Sequence, residues 1–234
     1  MQEGISLPEL TVEAVENYLG KPVNDPYGRR VGYIVSFYSD PDGKVTALEI
    51  SLGDFEFKEI SIDRFSFDEG DIILVPEWEY EAKKIENRLE RLRKRAAALE
   101  DLYAKKEVPR HSYELFKKKV DEALMKAREE AKKVKEMLRK RQYELEDIIV
   151  ELEKAMTSLK ISYMAGEIPD KAYKAAADQI RKHLEHAQLE KESVRKHLER
   201  IDALENKPVD IGVSVTKQEA PEETQALPVV VLEG

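Results

Sequence analysis

From Trp78 onward, apolar residues return at alternating spacings of four and three: Trp78, Ala82, Ile85, Leu89, Leu92, Ala96, Leu99 and Tyr103. That period predicts a helix with a coiled-coil seam along one face. A second run follows Pro109, with Leu124, Ala131, Leu138, Leu145, Leu152 and Leu159 every seven residues. A third follows Pro169 and carries Ile180, Leu184, Ala187, Val194, Leu198 and Ile201, with Lys191 as its only polar seam position. Before Trp78 the period is shorter. The stretch "LGKPVNDPYGRRVGYIVSFYSDPDGKVTALEIS" has apolar runs cut by Gly28 and by Asp40-Pro41-Asp42-Gly43. Asp-Gly between two such runs signals a hairpin. Phe55 and Phe57 alternate with Asp54, Glu56 and Lys58, Phe65 and Phe67 follow, and "DIILVP" reads as a short buried strand. Several short strands divided by turns predict a small barrel. The preceding "LPELTVEAVENYLG" fits either one short helix or a strand leading into a helix.

One phrase occurs twice. Leu99, Tyr103, Glu107-Val108-Pro109 and Tyr113 recur, sixty residues on, as Leu159, Tyr163, Glu167-Ile168-Pro169 and Tyr173. Proline is favoured at the first position of a helix, where its missing N–H costs nothing, and the residue before it is pushed out of helical geometry. Gly166 suits the left-handed residue that closes a helix; the first copy has Lys106 there, which adopts that conformation only at a cost. The flanking tyrosines are placed to pack across the turn. The phrase therefore predicts a helical hairpin corner, used twice.

Flanking residues on the middle helix support the corner. Val120, Ala127 and Val134 lie on one side of the leucine column, whereas beyond Arg141-Gln142 the flankers are Ile149, Met156 and Tyr163 on the other side. A helix that meets one partner in its first half and another in its second has this pattern. At 1.5 Å per residue, a middle helix of roughly 55 residues is about 80 Å long. The predicted fold class is α+β and modular. A small β-barrel spans residues 1–76, and an antiparallel coiled-coil rod of three helices spans 77–206, with turns near 107–109 and 167–169. An acidic linker covers 207–226, and a flexible tail ends in an apolar peptide at 227–234. Sustained seams of this kind also pair with other chains, so a dimer at least is expected.

Charge changes the picture module by module. Residues 1–76 carry 6 Lys/Arg against 15 Asp/Glu, residues 77–206 carry 31 against 28, and residues 207–234 carry 2 against 5. With 37% charged residues and 7% aromatics, much of the chain suits long solvated helices rather than a large globule. No cysteine is present, which excludes disulfides and thiolate metal sites. No run approaches the roughly 18 apolar residues of a membrane span, and "MQEGISLPEL" lacks the features of a signal peptide. The chain is expected in the cytoplasm. No Gly-rich phosphate loop and no Ser/His/Asp spacing occurs. His183 and His186 sit one turn apart but lack a matching third ligand. Neither an enzyme nor a cofactor site is expected.

Two stretches carry candidate binding chemistry. Between Lys83 and Arg141 there are 21 Lys/Arg against 11 Asp/Glu, with Lys119, Lys126, Lys133 and Lys140 at seven-residue spacing. Such a stripe can track a phosphate backbone without regard to sequence. Against that stands a column of Glu122, Glu129 and Glu136, each four residues before a lysine. That is the favourable order for exposed intrahelical pairs, worth roughly 0.2–0.5 kcal/mol each. Arg91, Arg93, Lys94, Arg95, Lys118, Lys132 and Arg139 are the better nucleic-acid candidates. At the other end, Leu227, Pro228, Val229, Val230, Val231 and Leu232 form an apolar, strand-prone run on an acidic, proline-containing tether. Such a peptide can add as a strand to the sheet edge of a partner; docking on the protein's own barrel is the alternative.

Taken together, a small barrel, a charged coiled coil and a terminal apolar peptide resemble the archaeal CdvA cell-division family over essentially the whole chain. "LGKPVNDPYGRRVGYIVSFY" followed by "DGKVTALEIS" is similar to the opening strands of a PRC-barrel domain, and "ALPVVVLEG" resembles the peptide with which the family binds CdvB. The resemblance implies a non-enzymatic cytoskeletal scaffold that self-assembles into filaments at midcell. Through Leu227 to Leu232 it would recruit the ESCRT-III-like protein CdvB, by way of that partner's winged-helix domain. It also raises duplex DNA as a ligand; a sequence-independent, nucleoid-associated coiled coil is the alternative function. Contact with the membrane would be peripheral or indirect, since an acidic barrel does not attract anionic headgroups.

Overall fold

The computed structural model describes residues 10–53, 55–68 and 71–206. Residues 207–234, with the expected linker and terminal peptide, lie outside them. Six strands come first: β1 (Pro22–Asn24), β2 (Arg30–Ser39), β3 (Val45–Leu52), β4 (Glu56–Ser61), β5 (Phe65–Asp68) and β6 (Asp71–Leu74). They form one sheet in the order β4-β3-β2-β1-β6-β5. Its pairs are antiparallel except β1 and β6, where Asn24 faces Ile73 in a parallel register. Ile60 of β4 and Phe65 of β5, from opposite edges, share one core with Val23, Ile34, Leu48 and Ile50. The sheet is therefore rolled into a half-barrel around that core.

The hairpin forms at the expected Asp-Gly. Asp40 Oδ1 accepts from the backbone N–H groups of Asp42 and Lys44 at 3.0 and 2.9 Å, and Gly43 supplies the left-handed residue at φ 82°. Gly32 is required for a different reason: a Cβ there would lie 2.1 Å from the Ser51 carbonyl oxygen of β3. Both readings of the N-terminal segment are realised in part. Thr11 forms an isolated bridge with Lys44, and α1 (Val12–Val15) and a 3₁₀ turn at Glu16–Tyr18 follow it. In β4, Ile60 faces the core, and Phe57 faces solvent in a cross-strand row with Ser51 and Tyr33.

The rod consists of α2 (Glu77–Ala104), α3 (Arg110–Met164) and α4 (Asp170–Asn206). Their lengths are 28, 55 and 37 residues. Both corners close in the same way. Lys106 and Gly166 adopt φ 60° and 75°, and the N–H groups of Glu107 and Glu167 bond back to the carbonyls of Leu102 and Ser162 at 3.0 Å. That is the six-to-one bond of a Schellman closure. Tyr103 stacks on Tyr113 with centroids 4.0 Å apart, and Tyr163 stacks on Tyr173 at 4.3 Å. The prolines stand one position earlier than expected. Pro109 is the residue before α3, extended at φ −65° and ψ 148°, and its carbonyl accepts the N–H of Tyr113 at 3.0 Å; Pro169 accepts from Tyr173 in the same way at 3.1 Å.

Folding at two corners gives a Z rather than a uniform bundle. The first part of α3 pairs with α2 and the last part with α4, as the switch of flanking residues requires. The two partners also overlap. Trp78, Glu86 and Arg93 on α2 meet Glu190, His197 and Leu204 on α4, so these helices run parallel to each other against the centre of α3. Full burial within α3 is confined to this centre, at Ala127, Ala131, Val134, Leu138 and Leu145. Outside it, the seam leucines Leu124, Leu152 and Leu159 are only half-buried. Two two-helix arms project from a three-helix middle.

Candidate functional site

The overlap also attaches the barrel. Between β1 and β2, Asp25 Oδ1 accepts from the N–H groups of Tyr27 and Arg29 at 3.0 and 2.9 Å. Its Oδ2 holds the Arg29 guanidinium at 2.6 Å. This turn aims two side chains at the rod. Tyr27 stacks on Trp78 with centroids 6.4 Å apart and donates its hydroxyl to Glu79 at 2.9 Å. Burial, with Glu79 and Glu190 nearby, pushes the Tyr27 phenol far up, so it stays a donor. Arg29 Nη2 reaches Glu190 Oε2 at 2.6 Å.

Glu190 is the centre of this junction and is 1% exposed. Besides Arg29 it accepts from Arg141 Nε at 2.7 Å, Arg141 Nη2 at 3.0 Å and Trp78 Nε1 at 3.2 Å. Burial pushes its carboxyl upward, but the hydrogen bonds and charges of the two arginines outweigh that and hold it below the usual carboxylate range. A buried charge with this many partners is satisfied. The expected polar seam position, Lys191, is instead half-exposed and pairs with Glu146 of α3 at 3.0 Å. The shift has a physical cause. Against two helices rather than one, α4 buries a wider arc, which takes in position 190 and the His197–Glu86 pair at 2.6 Å.

The nucleic-acid candidates separate into two groups. Arg91, Lys94 and Arg95 are exposed on α2, with Lys94 paired to Glu90 at 2.8 Å, and Lys118, Lys132 and Arg139 are exposed on α3. Arg93 is turned inward, where Nη1 donates to the Leu204 carbonyl at 2.9 Å near the end of α4. The expected Glu–Lys pairs along α3 do not form. Among the described residues, no ion pair joins Glu122 to Lys126, Glu129 to Lys133 or Glu136 to Lys140; Lys140 reaches forward to Glu144 at 4.0 Å. Such pairs are weak and compete with water, so their open state leaves the lysine column solvated.

Each arm leaves apolar surface uncovered. On the α2–α3 arm a groove is lined by Leu92, Leu99, Leu102, Phe116 and Val120, with Arg95 and Lys119 at its rim. On the α3–α4 arm, Ile161 is 65% and Met164 83% exposed. The His183 and His186 rings stand perpendicular with centroids 6.4 Å apart, and among the described residues no group of three or more His, Asp or Glu could hold a metal ion. No helix among them is long and apolar enough to cross a membrane. The terminal residues Leu227 to Leu232 lie outside the described residues. What the geometry offers is surface for binding.

Comparison with known proteins agrees with this division. Residues 77–224 match the family described as the CdvA-like coiled-coil domain, and residues 11–80 match the PRC-barrel domain. The chain is similar to Cell division protein A of Sulfolobus acidocaldarius, with 33% identity over 215 residues that cover 92% of this chain and 90% of that one. No solved structure matches.

Proposed function

The chain belongs to the CdvA-like coiled-coil family, and from that premise we propose that it is a non-enzymatic scaffold of cell division that assembles with itself at the division site. The observation that carries this is the Z-shaped rod, fully packed only where three helices overlap. Each arm is a pair of helices without a third, and the α3–α4 arm exposes Ile161 and Met164 on α3. The contiguous apolar groove on the α2–α3 arm is the kind of surface that marks an association site. Dimers joined through such arms extend into filaments if each rod uses both ends, since non-closing contacts propagate.

Recruitment is the second half of the proposal. Leu227, Pro228, Val229, Val230, Val231 and Leu232 would add as a strand to an ESCRT-III-like partner of the CdvB type. Many tails on one filament raise the effective concentration, so individually weak binding recruits firmly. Deleting residues 227–234 should abolish co-sedimentation of that partner and leave self-assembly intact. A truncated chain that still carries the partner down would remove this half.

Duplex DNA is the second reading. It is favoured by the exposed Arg91, Lys94, Arg95, Lys118, Lys132 and Arg139 in a stretch with 21 basic against 11 acidic residues. Its signature is binding to any duplex sequence that weakens steeply with salt. Both readings hold together if DNA templates the filament.

A further inference from the structure

The barrel ends in a strand whose sequence complements itself. Among the described residues, β4 lies at one edge of the sheet and pairs with β3 alone. Its Glu56, Phe57, Lys58 and Glu59 are all exposed. In sheet order β4 is also the strand farthest from β6, which leads into α2. A strand edge of this kind presents unpaired N–H and C=O groups, a template for another strand.

The two faces of β4 carry different chemistry. On the outer face Phe57, 58% exposed, continues the row of Tyr33 and Ser51. On the core side Lys58 ends a row that begins with the fully buried Ile34 and Ile50. An inward-pointing charge at a sheet edge blocks most strands from adding there. It admits a strand that brings an acid to the facing position. Glu56 shares the face of Lys58, two residues earlier, and among the described residues neither makes an ion pair. When two copies of β4 run antiparallel with Phe57 opposite Phe57, Glu56 of each falls opposite Lys58 of the other. One aromatic pair and two opposite-charge pairs then form directly across the strands, which is stabilising. Centring the pair on Glu56, Lys58 or Glu59 instead sets that residue against its own copy, and like charges directly opposite are destabilising. Charge therefore selects the Phe57 register over its neighbours.

We propose that β4 pairs antiparallel with β4 of a second copy, in the register that sets Phe57 against Phe57 and Glu56 against Lys58. This rests on the reading that the chain assembles with itself, and it assigns one of the contacts. The pairing is short and weak in isolation. Its place is within an assembly, where many such contacts act together. It is also isologous and lies on the barrel, apart from the arms of the rod. A chain that uses it together with a contact on an arm meets two neighbours through different faces, so the assembly extends instead of closing at a dimer.

Charge exchange in the full-length chain tests it. Glu56→Lys alone and Lys58→Glu alone each set like charges opposite one another when the variant pairs with itself. Mixed one to one, the two variants restore both pairs, because each supplies the charge that the other lacks. Sedimentation velocity over a concentration series measures assembly, with circular dichroism to confirm unchanged secondary structure. Each variant alone should need at least five-fold more protein than the unmodified chain to assemble, and the mixture should recover to within about two-fold. The double variant Glu56→Lys/Lys58→Glu should recover as well. Single variants that assemble as the unmodified chain does, or a mixture that fails to recover, would overturn the β4 pairing and leave self-assembly standing. An unmodified chain that stays monomeric at every concentration would remove self-assembly, and the pairing with it.

Discussion

Arg29, in the turn between β1 and β2, places Nη2 2.6 Å from Oε2 of Glu190 on α4. That contact joins the barrel to the rod, because the same carboxylate is held by Arg141 of α3 and by the indole N–H of Trp78 on α2. Four elements meet at one buried charge. The relative orientation of barrel and rod is thus set by a side chain that belongs to neither seam nor sheet.

Replacing Glu190 with Ala leaves two arginines facing each other without their counter-charge. Removing one partner of a fully buried pair costs about 3–5 kcal/mol. Arg29 and Arg141 are 31% and 26% exposed, so they regain some water, and the expected loss is about 2–3 kcal/mol. Urea unfolding of the full chain, followed by Trp78 fluorescence, measures it.

The same carboxylate makes the junction sensitive to acid. Its folded pKa lies below the ordinary glutamate value, which is about 4.3. The stabilisation is therefore fully present above about pH 4.3 and is lost as pH falls through the lower folded value. Trp78 is the only tryptophan and donates to Glu190, so its emission should change in that window. Glu190→Gln should abolish this step while leaving the acid response of other carboxylates.

The two corners differ in one residue of consequence. Lys106 holds φ 60°, which costs a side-chain-bearing residue roughly 1–2 kcal/mol, whereas Gly166 takes the same conformation freely. Lys106→Gly should stabilise the protein by about 1 kcal/mol, and Gly166→Ala should destabilise it by a similar amount. Thermal unfolding of the two variants tests both signs.

Local signals carried much of the architecture. The repeated Tyr–Glu–Val/Ile–Pro–Tyr phrase located both corners, down to the stacked tyrosines, because a corner is built from residues close in sequence. The change of flanks at Arg141-Gln142 located the change of partner on α3. Long-range chemistry was not legible. Glu190 neighbours a seam position and looks like one more solvated acid, and its burial depends on Arg29 and Arg141, both remote in sequence. Alternation at Phe57 likewise marks two faces of a strand without saying which one the sheet will roll over. The terminal peptide, Leu227 to Leu232, remains a proposal that rests on its pattern and on the family resemblance.

Light scattering of the purified full-length protein, with and without duplex DNA at two salt concentrations, tests self-assembly most directly. Growth into large assemblies without DNA, lost in Ile161→Glu/Met164→Glu, is the expected result. Growth that requires DNA and vanishes at higher salt would shift the primary role to the basic surface. A particle of fixed small size under every condition would contradict the scaffold.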